Sequence, residues 1–319
     1  MNKILLKTAF NSYFHDKQSF QDFLTINTKY EYSQIFYSKN TFSPSKKLKQ
    51  FQQFLNLFIF NHINFNENVV FSYRKGVSTI DAIKPHKNSK FIYTTDIKSF
   101  FTHIEVEKVK QLIIDNKNNC LIIKEDIEKY LDNILNLVTY NGCLPIGAPT
   151  SPKISNAYLE KLDNILEKYS KKNQIIFTRY SDDFIFSSEI KEKLIILNNI
   201  IEVFLEETGY SNLKINNKKT KLQKQGSNII LLGLTITPKG HITVSKKVKN
   251  NLEILLHFYI TDKTKFFNVF EINYSSKIEK VSGIISYINS IDRKYISKLK
   301  KKYGSYIVNT FIHRDILDE

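Results

Sequence analysis

The stretch Phe177–Ser188, FTRYSDDFIFSS, places two adjacent carboxylates between two short runs of β-branched and aromatic residues. The runs QIIFTRY and FIFSS predict two strands, joined by a tight hairpin at Asp182 and Asp183. Two like charges in such a turn require nearby cations, or one carboxylate must take up a proton. The alternative is a solvent-exposed turn, in which aspartate is a common residue.

The composition indicates a folded protein that works on a polyanion. The chain has 319 residues, of which 42% are hydrophobic and 13% aromatic, enough for a sizeable core in one multi-lobed unit or two to three subdomains. It carries 47 basic against 31 acidic residues, a formal charge of +16 and a pI near 9.5, the balance expected for a polyanionic partner. A lysine-rich solvated surface is the alternative.

The cysteines and the N-terminus exclude several classes of protein. Cys120 and Cys143 are the only cysteines and lack metal-ligand spacing, which argues against a zinc knuckle, an iron–sulfur site or a disulfide framework. The first apolar run is too short for a signal peptide, and no segment approaches the roughly 20 apolar residues of a membrane span. We therefore expect a soluble cytoplasmic protein with no membrane partner.

Apolar spacing and turn residues predict interleaved helices and strands. The predicted elements are, in order, an amphipathic helix from Lys46 to about His62, strands at NVVFSYRKG (68–76) and KFIYTTDI (90–97), helices at HIEVEKVKQLIID (103–115) and KEDIEKYLDNILNLV (124–138), a loop at NGCLPIGAPTSP (141–152), a helix beginning at Ser151–Pro152, the two strands at the Asp pair, a long helix from about Glu189 to Gly209, a hairpin turned by PKG (238–240) and three helices after Ser245. This order predicts an α+β fold.

Three carboxylates are expected to converge at one end of the predicted sheet. Asp96 ends one strand, and Asp182 and Asp183 fill a turn between strands that the apolar pattern would pair beside it. Hard oxygen ligands of this kind suit Mg²⁺ or Mn²⁺. Two such ions, about 3.5–4 Å apart, clamp the attacking and leaving oxygens of an in-line displacement. The pattern therefore favours nucleotidyl or phosphoryl transfer.

Several stretches in one order resemble a known family. They are YTTDIKSFF (93–101), LPIGAPTSPKISN (144–156), RYSDD (179–183), LKINNKKTKL (213–222) and ILLGLTI (230–236). They resemble the successive palm motifs of reverse transcriptases, from about Asn68 to Thr237. Residues 280–304 resemble the thumb of retron-type bacterial enzymes, and several concurring motifs are far more specific than one.

The resemblance implies a right-hand polymerase with fingers, a palm made of a small antiparallel sheet plus helices, and a helical thumb. Residues 1–95 would form N-terminal helices and fingers, and residues 96–240 the palm, with a part of the fingers at about 105–140. Residues 241–319 would form the thumb. The implied activity is RNA-directed DNA synthesis.

The resemblance also assigns the metal site. Asp96, Asp182 and Asp183 match the catalytic, metal-binding aspartates, and Ile97 joins them in the metal set. The implied cofactor is a pair of Mg²⁺ ions, with Mn²⁺ as an alternative. Lys219 matches the palm lysine that meets the departing pyrophosphate and can protonate it. Its rival is Lys218.

Residues that contact the incoming nucleotide follow by the same carry-over. Phe101 matches the bulky side chain that clashes with a 2′-OH, although Phe100 and Phe101 could both belong to the core. Arg74 and Lys75 match the fingers position that holds the triphosphate, where a guanidinium fork suits phosphate oxygens. Tyr180 is assigned to the substrate site, with a core position as the alternative.

The loop before the predicted Ser151 helix is expected to pack against the nascent base pair. Pro145 and Gly147 shape it, because a backbone without bulky side chains can approach closely. Ile146 stands where many relatives carry glutamine. Arg179 is expected to be structural or to contact the template strand, and Tyr73 to belong to the core or to stack on a base.

Two features bear on the subfamily. Retron enzymes usually show Asn-Ala-x-x-His before the first aspartate, and this chain has Ala82 and Ile83 and keeps only the histidine, His86. They also tend to show Val-Thr-Gly after the palm lysine, where this chain has Leu231, Leu232 and Gly233. By itself, His86 would be a packing histidine.

The thumb lysines have two interpretations. They form a groove that grips a duplex, or they form a solvated face. The residues concerned are Lys246, Lys247, Lys249, Lys298 and Lys301.

The resemblance implies several partners: a structured non-coding RNA, its DNA product, dNTPs and an effector or toxin protein of an anti-phage defence system; an oligomer is compatible with it. Two other classes compete. An RNA-dependent RNA polymerase shares the palm and the metals, but Phe101 argues against it. A scaffold that binds RNA and restrains an effector would not need the three aspartates.

Overall fold

The hairpin at the Asp pair forms as the sequence predicts. Strands β4 (Ile176–Tyr180) and β5 (Asp183–Ser188) run antiparallel, and β3 (Phe91–Asp96) lies antiparallel on the other side of β5. The strand order of this sheet is β4-β5-β3-β6, with β6 at Lys221–Lys224. The register pairs Asp96 with Asp183. The end of β3 and the beginning of β5 therefore lie side by side, as the proposed carboxylate site requires.

The structure is a computed structural model that describes residues 3–35, 41–268 and 274–313. The chain divides into two units. The first comprises Met1–Ala82 and Phe91–Leu222, and the second comprises Ile83–Lys90 and Gln223–Glu319. The finer division into fingers, palm and thumb stays a prediction.

Helices cover most of the first unit and enclose an aromatic-rich core. Phe10, Phe23 and Phe54 are fully buried there, and the rings of Phe177 and Phe186 stack at 4.5 Å on the sheet. The helices are α1 (Leu6–Phe14), α2 (Phe20–Thr25), α3 (Lys46–Phe58), α4 (Thr79–Ile83), α5 (Val106–Asn116), α6 (Lys124–Lys129), α7 (Leu131–Val138), α8 (Ser151–Tyr158), α9 (Glu160–Lys172), α10 (Glu192–Ile195) and α11 (Leu197–Glu207). A two-stranded antiparallel sheet, β1 (Tyr32–Gln34) and β2 (Phe42–Pro44), precedes α3.

One predicted strand is wrong. Residues 68–76 form turns, and only Val70 makes an isolated bridge, to Arg179. The strand cannot extend because the backbone of Tyr73 is left-handed, with φ of 57°, a conformation that ends an extended run. The guanidinium of Arg74 then donates back to the carbonyl of Val70 at 2.8 Å.

Several predicted helices are broken into shorter pieces. The predicted helix from Lys46 ends at Phe58, and a 3₁₀ turn follows at Phe60–His62. The backbone also leaves the helical geometry at Tyr130 (ψ 17°) and Leu159 (ψ 10°), which separate α6 from α7 and α8 from α9. The predicted helix from about Glu189 to Gly209 begins only at Glu192 and is divided at Ile196 into α10 and α11. Gly209, with φ of 81°, follows the end of α11 as expected of a helix stop.

The second unit combines a small sheet with helices. Strands β7 (Ile229–Leu231), β8 (Leu234–Ile236) and β9 (Ile242–Val244) form an antiparallel sheet that contains the predicted PKG hairpin. After Ser245 the described residues hold more helices than the three predicted. They are α12 (Lys246–Thr261), α13 (Lys263–Asn268), α14 (Tyr274–Ile291), α15 (Arg293–Tyr303) and α16 (Ser305–His313). Within the described part of the chain, no helix is long and apolar enough to cross a membrane.

His86 is fully buried in the second unit, as a packing histidine is expected to be. Burial lowers the pKa of its imidazole to about 3. The unfolded chain takes up this proton near the ordinary histidine pKa of about 6.5, whereas the folded chain does not until about pH 3. Stability contributed by neutral His86 is therefore lost as the pH falls below about 6.5.

We predict that a His86→Gln variant loses this part of the pH dependence. Between pH 6.5 and pH 4.5 the free energy of unfolding of the wild type should fall more steeply than that of the variant, by up to about 1.4 kcal/mol per pH unit. Thermal unfolding of both proteins across this range measures the difference. Parallel curves for the two proteins would contradict the assignment of His86 as the titrating group.

Candidate active site

The alternation of side chains along the strands places the acidic residues on one face of the sheet. Asp96 and Asp183 are register partners, and Tyr180 is paired with Asp183 across the hairpin. Partners in register share a face. The opposite face carries Tyr93, whose hydroxyl contacts Asn198 on α11 at 3.3 Å. The aspartates thus face away from the helix that packs behind the sheet.

Burial and mutual repulsion make the paired aspartates poor acids. Burial, together with the neighbouring charges of Asp182 and Asp96, raises the pKa of Asp183 to about 6. The pKa of Asp182 is raised mainly by burial, with a contribution from the charge of Asp96. Nearby cations would favour the charged forms of both carboxyls. The site therefore favours a positively charged ligand.

Lys219 supplies one such cation. Its ammonium lies 2.6 Å from Oδ2 of Asp96, and this hydrogen bond raises the pKa of Lys219. The backbone N–H of Asn216 donates to the carbonyl of Asp96 at 2.8 Å, and the N–H of Lys219 donates to the carbonyl of Asn216. This turn brings Lys219 to Asp96. Lys219 and its rival Lys218 are both exposed, so the ion pair with Asp96 is what distinguishes Lys219.

The donor set fits a divalent metal. Oδ1 of Asp96 is buried without a hydrogen-bond partner among the described residues, and a buried carboxylate oxygen of this kind requires a partner. No three His, Cys, Asp or Glu side chains within the described ranges stand as a ready-made set of metal ligands, and the second oxygen of Asp96 is held by Lys219. Carboxylate oxygens are nevertheless the ligands preferred by Mg²⁺ and Mn²⁺.

A buried ion pair anchors the hairpin that carries Asp182 and Asp183. Arg179 is fully buried, and its guanidinium meets the carboxylate of Asp163 on α9 with two bonds of 2.7 and 2.6 Å. The same guanidinium donates to the carbonyls of Ser181 (2.8 Å) and Asn156 (3.1 Å). Arg179 is thus structural, one of the two roles expected for it, and no part of it is exposed for a template strand.

Ser72 and Asn156 complete the support of the turn. The hydroxyl of Ser72 accepts from the N–H of Ser181 at 2.8 Å and donates to Oδ1 of Asn156 at 2.9 Å. The amide of Asn156 donates back to the carbonyl of Ser72 at 2.8 Å. Sequence analysis missed Ser72, Asn156 and Asp163. The asparagine ends the quoted stretch SPKISN, and its place in that motif was the one available signal.

The loop at Pro145 and Gly147 approaches another backbone closely, as expected for a residue without a side chain. A Cβ at Gly147 would lie 2.1 Å from the carbonyl oxygen of Phe42, and its φ of 111° also favours glycine. The N–H of Phe42 donates to the carbonyl of Ile146 at 2.8 Å. The hydroxyl of Ser151 donates to the carbonyl of Pro145 at 2.5 Å, which ties the loop to the start of α8.

The two phenylalanines expected near the sugar differ in burial. Phe100 is 2% exposed and belongs to the core, whereas Phe101 is only partly buried and packs against that core. Both follow Ser99, whose backbone is left-handed with φ of 50°. Phe101 is therefore the one of the two that a substrate can reach.

The basic residues expected at the triphosphate have different surroundings. Lys75 is exposed. Arg74 is tied to its own loop, with its guanidinium 2.9 Å from the carboxylate of Glu67 and 5.9 Å from the ring of Phe65. A triphosphate would have to replace Glu67 to gain the full guanidinium fork.

The lysines expected to grip nucleic acid lie in the second unit. Lys246 and Lys247 are exposed at the start of α12, and Lys298 and Lys301 are exposed one turn apart on α15. Lys249 is the exception. Its ammonium lies 3.3 Å from Oδ2 of Asp292 and 4.3 Å from the ring centre of Tyr295, so part of its charge is used within the unit.

Comparison with known proteins gives a consistent picture. A sequence model of the family described as reverse transcriptase (RNA-dependent DNA polymerase) matches residues 41–236, more than half of the chain. The chain is 27% identical over 278 residues to the Retron Ec86 reverse transcriptase of Escherichia coli, covering 85% of this chain and 79% of that protein. It is 27% identical over 275 residues to the Retron Ec73 reverse transcriptase of the same species, covering 83% of each.

Solved structures with a similar fold include a telomerase from Candida albicans in complex with a fragment of telomeric RNA, with a TM-score of 0.42 and 14% identity over 86% of this chain. Another is a foamy viral protease-reverse transcriptase in complex with double-stranded DNA, with a TM-score of 0.36 and 18% identity over 72% of this chain. This chain spans 53% and 37% of those two chains.

The family match and the combination of helices with small antiparallel sheets define an RNA-directed DNA polymerase of the α+β class. The chain belongs to the reverse transcriptase family, the RNA-dependent DNA polymerases. The predicted fold class and enzyme class are confirmed. The roles of the individual site residues stay predictions.

The ion pair under the hairpin gives a stability prediction. Arg179→Met should lower the free energy of unfolding by about 3–5 kcal/mol, because it leaves the carboxylate of Asp163 buried without a counterion. Asp163→Leu should also destabilise the protein, because it leaves the guanidinium of Arg179 buried without a counterion. The double variant should lose less than the two single losses combined, since it buries no uncompensated charge. Denaturant unfolding of the four proteins measures this coupling, and losses that simply add would contradict it.

Proposed function

We propose that this chain copies a dedicated structured non-coding RNA into DNA as the polymerase of a retron or a related anti-phage defence system. The observation that carries the catalytic assignment is the register of β3 and β5, which sets Asp96 beside Asp183 and leaves one oxygen of Asp96 buried and unpaired within the described residues. The names of the relatives support the retron context, because the two that this chain matches over 79% and 83% of their own length are retron enzymes.

Asp96, Asp182 and Asp183 would hold two divalent ions, for which we propose Mg²⁺ with Mn²⁺ as a substitute. Ile97 would contribute its backbone carbonyl, because its side chain is buried. When bound, the two ions would stabilise the attacking and leaving oxygens of the phosphoryl transfer. The raised pKa values of Asp182 and Asp183 are expected to fall as the ions replace the lost solvation.

The remaining site residues bind and orient the nucleotide. Lys219 would leave Asp96 and donate a proton to the departing pyrophosphate. Arg74 and Lys75 would hold the triphosphate. Phe101 would close the floor under the sugar.

The nascent base pair would rest on the loop around Pro145 and Gly147, with Tyr180 on the same sheet face as Asp183. The close approach at Gly147 explains why a side chain cannot stand there. This loop would fix the pair by shape, because Ile146 offers no polar side chain for the nucleotide.

The partners follow from this activity. dNTPs are the substrates, and the RNA template and DNA product would lie against Lys246, Lys247, Lys298 and Lys301, with Lys249 contributing less. Such contacts depend on salt because binding releases counterions. An effector or toxin protein, an oligomer and a cytoplasmic location complete the proposal.

The proposal predicts a defined nucleic acid in the purified protein. When the chain is expressed with its native flanking DNA, we expect one DNA species joined to or tightly held with one structured RNA. The Asp182→Asn/Asp183→Asn variant should carry the RNA without the DNA, because the substitution removes both negative charges and leaves the fold intact. Sequencing of all co-purifying nucleic acid measures this result.

A Lys218→Gln protein serves as the control, because it removes a charge from an exposed residue close to the site. It should keep the DNA. RNA of mixed sequence, or DNA that persists in the aspartate variant, would contradict the proposed function.

Phe101 provides a separate prediction about the sugar. Phe101→Val should raise incorporation of ribonucleotides relative to deoxynucleotides by on the order of 10–100-fold, because the clash with the 2′-OH is removed. Primer-extension assays with each kind of nucleotide measure the ratio. Phe100→Leu, which changes a fully packed neighbour, should alter stability and leave the ratio unchanged. A ratio that moves only in the Phe100 variant would contradict the assignment.

A further inference from the structure

Tyr73 makes a contact with the catalytic turn that its position in the sequence does not suggest. Its phenol donates a hydrogen bond to Oγ of Ser181 at 3.1 Å. Its ring centre lies 6.4 Å from that of Tyr180, which shares the sheet face of Asp183. Tyr73 is 39% exposed, so it is not a core residue.

Ser181 is held at every polar group it has. Its N–H donates to Ser72, and its carbonyl accepts from Arg179 at 2.8 Å. Its hydroxyl accepts from Tyr73 and lies beside Asp182, where it partly opposes the rise in the pKa of Asp182 caused by burial. The main-chain contacts come from fully buried groups, whereas the side-chain contact comes from a half-exposed ring.

The hydrogen bond joins two strained backbones. Tyr73 has φ of 57° and Ser181 has φ of 59°, and neither is glycine. Residues with a side chain adopt this conformation at a cost, and it persists only where the surroundings determine it. Two such residues that meet side chain to side chain indicate a contact that holds both turns in place.

We propose that Tyr73 is a positioning residue of the polymerase, whose hydroxyl fixes Ser181 and through it the orientation of the Asp182 carboxylate. This inference rests on the proposed role of the aspartates. The sequence runs Tyr73, Arg74, Lys75, so the same residue connects the segment expected at the triphosphate with the turn that presents the carboxylates. A shift of the segment on nucleotide binding would be transmitted to Asp182 through one hydrogen bond.

The phenol is suited to this task because it remains a donor. Burial raises the pKa of Tyr73, and the nearby charge of Asp182 adds to the rise. The hydroxyl therefore stays protonated at neutral pH. A phenylalanine would keep the ring and its packing and would lose only the donor.

A double-mutant cycle tests the proposal. Tyr73→Phe and Ser181→Ala each remove the same hydrogen bond, so each should lower kcat by on the order of three- to tenfold. The double variant should be no slower than the slower single variant, because the bond can be lost only once. The KM for dNTP should stay within about twofold of the wild type, since the hydroxyl positions a carboxylate and does not bind the nucleotide.

Tyr30→Phe is the matched control. It makes the same chemical change at a tyrosine that is 80% exposed. It should leave kcat unchanged alone and should not alter the effect of Ser181→Ala. Thermal unfolding of every variant identifies any loss that arises from misfolding.

Three outcomes would overturn the inference. They are a Tyr73→Phe enzyme as fast as the wild type, losses in the double variant that multiply, and a rise in KM with kcat unchanged. The cycle is separate from the test of the aspartates: if Asp182→Asn/Asp183→Asn kept full activity, the proposed site would fail, whereas an inactive aspartate variant with a multiplicative cycle would reject only the role of Tyr73.

Discussion

The buried ion pair between Arg179 and Asp163 is the interaction on which the acidic site depends. A guanidinium at zero exposure with two bonds to a carboxylate fixes the hairpin to α9. Its other N–H groups donate to the carbonyls of Ser181 in the turn and Asn156 on α8. Loss of either partner would leave the other as an uncompensated buried charge, which is strongly destabilising. The position of the turn that carries Asp182 therefore depends on both residues.

Different residues compensate the charge of the neighbouring aspartates and hold the turn that carries them. Burial disfavours the charged forms of Asp182 and Asp183, and the ammonium of Lys219 pairs with the carboxylate of Asp96. The backbone of the turn is held in place, because Ser72, Arg179 and Tyr73 each hydrogen-bond a different polar group of Ser181. Charge compensation and shape are supplied by different residues, so each can be altered separately.

The hairpin could be predicted from the sequence, whereas the residues that hydrogen-bond its turn could not. Alternating apolar residues in Phe177–Ser188 predict two strands by a local rule, and the register that pairs Asp96 with Asp183 follows from the apolar face. The contacts of the turn are different in kind, because Ser72 reaches Ser181 across 109 positions and no local pattern marks that partnership. Residues 68–76 are predicted wrongly for a different reason. Val69 and Val70 favour a strand, but Tyr73 has a left-handed backbone and Arg74 bonds back to its own loop. Helix breaks at Tyr130 and Leu159 carry no glycine or proline signal either.

The lysine beside Asp96 has a consequence for the folding of the protein before any ligand binds. Three neighbouring carboxylates would ordinarily need a cation from solution before this end of the sheet could close, which would make folding depend on metal supply. Here an ammonium from the same unit already lies against the most buried carboxylate. The chain thus carries its own counterion for Asp96, so that this end of the sheet can close without a cation from solution.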